Sequence, residues 1–399
     1  MTPRVRTPDD VAAHVDAAVR YGTPGTVGAE LELLCVDRAA PGVRPHLDRV
    51  AALLPTALPG RSALTTEPGG QVELSSVPAR GPAEAVALLA EDLRVVREAL
   101  DAGGLSLVGT GTDPLRPPVR LVDSSRYRCM AAYFAACGEP SASAGPAMMC
   151  STAAVQVSLD AGTRADAAER WQRAHAIGPA LVAAFACSPL LQGRPTGWRS
   201  TRQRIWGDLD PSRTRAPRPG LGPVEALTEL ALEAPLLAVR DADGTCRPAP
   251  TGLTFGRWMR EGTPTAADLD YHLTTLFPPV RLRGWLELRY LDMLPDPLWQ
   301  VAVTVAATLL DDPRAADAAR DACAPVEGRW GDAARLGVGD PELQRAALGC
   351  LAAVDVPEVQ AYAERWTSRG RCPADDVLDA WEAGRTAQDL LLGPVGVAA

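Results

Sequence analysis

In 399 residues the chain has no lysine and no asparagine, so all 40 basic side chains are arginines. Without lysine there is no P-loop lysine and no Schiff-base nucleophile, and any phosphate must be held by arginine, a metal ion or backbone amides. Without asparagine there is no N-glycosylation sequon. Isoleucine occurs only at Ile177 and Ile205, and the three gaps together read as codon bias in a GC-rich genome. No apolar run approaches a membrane span, and the N-terminus lacks the apolar core of a signal peptide. Nine cysteines (Cys35, Cys129, Cys137, Cys150, Cys187, Cys246, Cys323, Cys350 and Cys372) contain no C-x-x-C pair. Their odd number and scattered spacing fit reduced, mostly buried thiols, so the expected compartment is the cytoplasm. The net charge of −9 argues against nucleic acid as the main partner.

What is present is a globular composition, 47% hydrophobic and 22% charged, in a chain long enough for one large α+β domain or two intimate ones. Its organising stretch is Trp285–Asp292. Read as a strand, it sends Leu286, Leu288 and Tyr290 to one face and Glu287 and Arg289 to the other. A lone E-x-R of this kind can be a solvated strand face. Three other stretches repeat the design, however. Val27–Leu33 aligns Glu30 with Glu32, Glu67–Ser75 aligns Gln71, Glu73 and Ser75, and Ala154–Asp160 aligns Gln156, Ser158 and Asp160. If the four share a sheet, its polar face gathers at least Glu30, Glu32, Glu73 and Glu287. Clustered carboxylates cannot all stay ionised without compensation, and hard oxygen donors favour magnesium or manganese. Arg289 is then available for an anionic ligand. Glu67 is open to two readings, a turn cap or a metal ligand.

The remaining elements bracket these strands. Helices are expected over 7–20, near Leu47–Leu54, and over 82–102, 163–187 and 223–240, with a strand at Leu105–Gly109 and an aromatic helix from Arg126 through Tyr133 and Phe134. From about 297 to 392 the pattern is helical, punctuated by Asp312-Pro313, Asp340-Pro341, Val356-Pro357 and Cys372-Pro373, and Gly393–Ala399 should fray. Residues 194–218 hold seven arginines with Trp198 and Trp206. That segment reads as a nucleotide-phosphate loop or as a solvated one. His272 reads as structural or catalytic, and Tyr127 as packing at a helix start. There is no internal repeat.

Glu30-x-Glu32, Glu67-Pro-Gly-Gly-Gln-Val-Glu73, Met148-Met-Cys-Ser-Thr-Ala-Ala-Val-Gln156 and Glu287-Leu-Arg289 occur in an order that resembles the glutamate–cysteine ligases of the plant and actinobacterial type. With Tyr271-His-Leu-Thr-Thr-Leu-Phe-Pro-Pro-Val-Arg, the resemblance is closest to the ligase of actinobacterial ergothioneine biosynthesis. It spans about 26 to 350. It implies a single catalytic domain over 1–399 with a glutamine-synthetase-like fold, α+β, in which a curved, mainly antiparallel sheet forms a cavity for ATP and Mg2+ (Mn2+ is an alternative) and is packed by helices. It implies γ-glutamylcysteine formation through γ-glutamyl phosphate, with glutamate, cysteine and ATP as the small-molecule partners, no membrane, and a monomer or weak homo-oligomer. Site residues carry over in the same way. Glu30, Glu32, Glu73 and Glu287 match metal ligands, with Glu287 and Arg289 also catalytic. Arg199, Arg202, Trp206 and Arg213 match the nucleotide side. Arg126, Tyr127, Gln156 and Tyr133 match the substrate side, with Met130 and Phe134 in the same wall. Ser158 departs from the asparagine expected there. A relative that joins glutamate to another amine, or a non-catalytic nucleotide-binding relative, is the alternative.

Overall fold

The structure, a computed structural model, describes residues 3–393; beyond Gly393, the fraying expected of the C-terminal residues lies outside the described part. Strands form where branched and aliphatic residues alternate with polar ones. They are β1 (Thr26–Asp37), β2 (Ala63–Thr66), β3 (Val72–Ser75), β4 (Ala79–Arg80), β5 (Leu105–Val108), β6 (Ala154–Leu159), β7 (Leu190–Leu191), β8 (Arg194–Pro195), β9 (Ala238–Arg240), β10 (Cys246–Pro248), β11 (Val280–Leu282) and β12 (Leu286–Asp292). Eight of them make one sheet in the order β11-β12-β6-β1-β3-β2, with β4 and β5 also on β1. Every pairing in it is antiparallel.

The sheet is two-faced because its strands alternate. Val27, Ala29, Leu31 and Leu33 are buried on the back face, where helix Gly81–Ala102 packs on β1 and helix Leu298–Asp311 on β6. The second of these, LWQVAVTVAATLLD, is apolar nearly all round, as a helix enclosed by neighbours must be. Over the polar face lie helices Ser125–Ala136, Ser141–Ser151 and Thr201–Gly207.

Four of the C-terminal helices begin at Pro313, Pro341, Pro357 and Pro373, each proline sitting in a first turn where its missing N–H costs nothing. Three expectations differ from what is found. The helix foreseen over 163–187 is two, Ala167–Ala176 and Gly178–Ala184, because Pro179 has no N–H to continue the first ladder. The helix foreseen over 223–240 ends at Glu233, and the chain turns into the β9–β10 hairpin. Residues 194–218, foreseen as a loop, contain the helix Thr201–Gly207, capped by Ser200, and a short one at Pro211–Thr214. Among the described residues no helix is long and apolar enough to cross a membrane.

Candidate active site

Register decides which polar side chains meet. Glu32 stands opposite Glu73, Glu30 opposite both Gln156 and Ser75, and Glu287 opposite Ser158 and Arg281. The β2–β3 hairpin adds a carboxylate that strand alternation alone leaves ambiguous. Thr65 pairs with Glu73, so Glu67, two residues on, reaches the same face. The turn closes with Glu67 N–H donating to the Gln71 carbonyl at 2.9 Å and Gly70 N–H to the Glu67 carbonyl at 2.8 Å. A Cβ on Gly69 would lie 2.4 Å from the carbonyl oxygen of Cys150. The turn that carries Glu67 is thus pressed against the end of helix Ser141–Ser151, where only glycine fits.

The result is a cavity of about 290 Å³ on the polar face. One side is charged, with Glu30, Glu32, Glu67 and Glu73 facing Arg281, Arg283 and Arg289; the other carries Tyr127, Met130, Met148, Met149, Trp206 and Phe277. Ligand oxygens of Glu32, Glu67 and Glu73 lie within 4.8 Å of one another. Burial, with Glu287 and Glu73 nearby, pushes Glu30 up to about 7. Burial and the Glu73 charge push Glu32 up to about 7. Burial, Glu32 and Glu73 push Glu67 well above the usual carboxylate range. Arg289 offsets the charge of all three only in part, with Arg281 helping at Glu30 and Arg202 at Glu32, so these carboxylates bind protons or a cation readily.

Glu287 has the opposite environment. It is 2% exposed and accepts from Arg281 Nε and Nη2, both at 2.8 Å, and from Arg289 Nη1 at 2.5 Å. Burial alone would raise its pKa, but Arg289 and Arg281 outweigh that and hold it at about 2. Both its oxygens are engaged by guanidinium groups, so it does not stand free among the carboxylates with which it was expected to share a metal. Arg289 also donates to Gln156 Oε1 at 2.5 Å, while Gln156 Nε2 donates to Glu32 Oε1 at 2.9 Å. Arg289 sits in a β-bulge, since the β12–β6 register shifts between Leu288 and Leu291. The bulge is fixed from behind: Arg202 Nη2 and Gln203 Nε2 each donate at 2.7 Å, to the carbonyls of Arg289 and Tyr290.

The other expected residues divide. Arg126, Tyr127 and Trp206 line the cavity, and Arg126 is tied to Thr274 Oγ1 and the Thr274 carbonyl at 2.9 and 2.8 Å. Arg199 does not line it, and pairs instead with Asp375 at 2.6 Å. Arg202 is buried behind the bulge. Arg213 is wholly buried, with Asp210 at 3.1 Å and the Thr275 carbonyl at 2.8 Å. Tyr133 donates to Asp210 at 2.5 Å, under the Arg213 guanidinium and away from the cavity lining. His272 is structural, its Nε2 donating to the Ala231 carbonyl at 2.9 Å and its ring stacked on Phe255. Glu67, left open between a turn cap and a metal ligand, stands in the carboxylate cluster, and missed from the sequence were Arg281 and Arg283 as lining. The alternation Val280-Arg281-Leu282-Arg283 next to the Glu287 strand is the signal that points to the two arginines.

The family described as glutamate–cysteine ligase family 2 matches residues 26–393. The glutamate–cysteine ligase EgtA of Mycolicibacterium smegmatis is 45% identical over 391 residues, covering 93% of this chain and 91% of that protein. The glutamate–cysteine ligase EgtA of Mycobacterium tuberculosis is 45% identical over 410 residues, covering 95% and 94%. Among solved structures, a glutamate–cysteine ligase of Francisella tularensis in complex with AMP aligns with a TM-score of 0.54 at 12% identity, over 93% of this chain and 87% of that one. At that identity the likeness concerns the fold alone.

Proposed function

The chain belongs to glutamate–cysteine ligase family 2, and on that premise we propose that it joins the γ-carboxylate of L-glutamate to the amine of L-cysteine, converting ATP to ADP and phosphate and yielding γ-glutamylcysteine. The observation that carries this reading is the meeting of a carboxylate cluster, Glu32, Glu67 and Glu73, with Arg281 and Arg289 across one cavity. Two anions, a nucleotide triphosphate and a carboxylate, have to approach each other, so the site must supply positive charge that protein side chains alone do not provide.

The cluster fits a divalent cation: three hard oxygen donors converge, and burial and mutual repulsion leave them short of positive charge. Glu32, Glu67 and Glu73 would hold Mg2+ or Mn2+, with Glu30 beside them. A bound cation there would neutralise phosphate charge. Arg289 faces the phosphoryl group as it transfers to the glutamate γ-carboxylate, and Glu287 keeps Arg289 and Arg281 aimed into the cavity. The cysteine amine then displaces phosphate from the acyl phosphate. No step needs a nucleophile from the protein, which is consistent with a chain that has no lysine. Trp206 and Arg126, at the cavity wall, take the nucleotide and substrate sides. Arg202 acts indirectly, by fixing the Arg289 bulge. The product feeds ergothioneine biosynthesis. The chain works as one catalytic domain, a monomer or weak homo-oligomer, in the cytoplasm, in keeping with nine free cysteines.

The test is a phosphate-release assay with ATP, glutamate and a panel of amines, with products identified by mass. Cysteine-dependent formation of γ-glutamylcysteine is expected, abolished by chelator. Phosphate release that ignores glutamate, or that survives excess chelator, would refute the reading.

A further inference from the structure

Next to the turn that carries Glu67 lies a buried ion group, Arg44, Asp113 and Arg116, none of which lines the cavity. Asp113 is fully buried between two guanidiniums, with Arg116 Nε at 2.7 Å and Arg44 Nη2 at 3.3 Å. Desolvation offsets much of the attraction in such a group, so its worth lies in what it holds in place. Arg116 Nη1 donates to the Cys35 carbonyl on β1 at 2.8 Å. Arg44 instead reaches the Glu67 turn. Its Nη1 donates to the Gly69 carbonyl at 3.1 Å, and its Nη2 to the Pro117 carbonyl at 3.1 Å and to Ser151 Oγ at 3.4 Å. One guanidinium thus joins the connection after β1, the Glu67 turn, the loop after β5 and the end of helix Ser141–Ser151.

Glu67 is the member of the carboxylate cluster that needs such a tie. Glu32 and Glu73 stand opposite each other in the β1–β3 register, so the sheet places both. Glu67 falls between the end of β2 at Thr66 and the start of β3 at Val72, so the turn places it. Within that turn the Pro68 carbonyl accepts from the N–H groups of Leu121 and Val122 at 2.7 and 3.1 Å, and Gln71 Nε2 donates to the Thr152 carbonyl at 2.8 Å. The Gly69 carbonyl between them takes its donor from Arg44.

We propose that Arg44 is a positioning residue: anchored by Asp113, it fixes the Gly69 carbonyl and thereby sets where the Glu67 carboxylate stands relative to Glu32 and Glu73. The proposal rests on the reading of that cluster as a divalent-cation site. A planar guanidinium addresses several acceptors in fixed directions at once, which an ammonium does not. A small divalent cation tolerates little error in the placing of its oxygen donors, so a loosened turn shows first as weaker metal binding. Removing Arg44 still leaves Asp113 paired with Arg116, so the variants below should fold.

The experiment uses the full chain with Arg44→Met and Arg44→Lys, each alone and combined with Glu67→Gln. Mn2+ binding is measured without substrates, by the EPR signal of the free ion, and Tm is measured in chelator. Arg44→Met should weaken Mn2+ binding by roughly 10-fold or more, on the scale of a lost partner behind a metal ligand. Arg44→Lys, which keeps the charge but not the fork, should weaken it by a smaller factor, and it carries the test where the methionine variant does not fold. In the Glu67→Gln background either change should move Mn2+ affinity by no more than about twofold, because the ligand that Arg44 positions is already gone. Wild-type Mn2+ affinity in each Arg44 variant that folds, however low its Tm, overturns the proposal. So do losses that multiply in the double variants, since Arg44 would then act elsewhere than through Glu67. Wild-type protein that binds no Mn2+ overturns the cation site and the role of Arg44 together. Wild-type protein that binds Mn2+ but forms no γ-glutamylcysteine overturns the ligase reading alone.

Discussion

Glu287→Gln should destabilise the protein, whereas Glu67→Gln should not. The two residues share a sheet face and a chemistry but not an environment. Glu287 is 2% exposed and bonded to Arg281 and Arg289. Replacing its charge with an amide leaves two buried guanidiniums without their counter-ion, a change that typically costs about 3–5 kcal/mol. The depression of its carboxyl from 4.5 to about 2 agrees, since it corresponds to roughly 3 kcal/mol of stabilisation of the charged form. In sign, the folded pKa lies below the unfolded one, so this stability is present above about pH 4.5 and is lost as pH falls through about 2. Glu67 is raised, not lowered, by burial and by Glu32 and Glu73, so a neutral amide there relieves repulsion. Unfolding entropy of about 2.1 cal/mol/K per residue gives on the order of 0.8 kcal/mol/K for a chain of this length, so a loss of about 3 kcal/mol corresponds to a Tm fall of about 4 °C. The assay is thermal and urea denaturation at pH 7 in excess chelator, on wild type and both variants. Glu287→Gln as stable as wild type, or Glu67→Gln falling as far as Glu287→Gln, would show that the ion-pair argument is wrong.

Other outcomes follow from the same geometry. Glu32→Gln, Glu67→Gln and Glu73→Gln should each weaken Mn2+ binding measured by calorimetry and cut turnover by roughly 100-fold or more, since each removes one charge from a three-carboxylate cluster; normal Mn2+ affinity in any of them would remove that residue from the set. Arg289→Lys should lower kcat more than it raises KM for ATP, because a point charge cannot bridge Glu287, Gln156 and an anion in one plane. A change confined to the ATP KM would assign Arg289 to ground-state binding. Burial, with Arg213 nearby, holds His272 at about 3, and burial holds His175 at about 4. Both folded values lie below the unfolded ~6.5, so the unfolded chain takes up protons that the folded one does not. Stability should therefore fall from about pH 6.5 downward, by up to roughly 1.4 kcal/mol per pH unit for each histidine. Urea midpoints between pH 7.5 and 5 check this, and His272→Gln, which keeps a donor to the Ala231 carbonyl, should flatten the curve.

Period-two alternation was enough to place Glu30, Glu32, Glu73, Gln156, Glu287 and Arg289 on one polar face, because a strand commits alternate residues to opposite sides whatever its partners are. Proline positions placed four of the C-terminal helix starts, and the starts at Trp330 and Ala387 carry no such mark. What the sequence could not show is which charge meets which. Glu287 and Glu32 look alike in an E-x-R and an E-x-E, yet register puts Arg281 opposite the first and Glu73 opposite the second. Burial raises both carboxyls, but Arg289 and Arg281 hold the first at about 2, while burial with Glu73 takes the second up to about 7. The Arg-rich stretch 194–218 shows the same limit from the other side. Arginines among prolines and tryptophans read as a surface loop for phosphates, but two short helices fold Arg202 and Arg213 inward, where Arg202 Nη2 meets the Arg289 carbonyl and Arg213 meets Asp210 and the Thr275 carbonyl. A guanidinium with five donors can be buried if carbonyls surround it, and that depends on chain segments 60 or more residues away in sequence, Thr275 and Arg289 among them. Cation density in a sequence is therefore weak evidence for an anion site. Of the four arginines that do reach the cavity, Arg126 comes from helix Ser125–Ala136, and Arg281, Arg283 and Arg289 come from an unremarkable hairpin whose polar side the sheet turns toward the carboxylates.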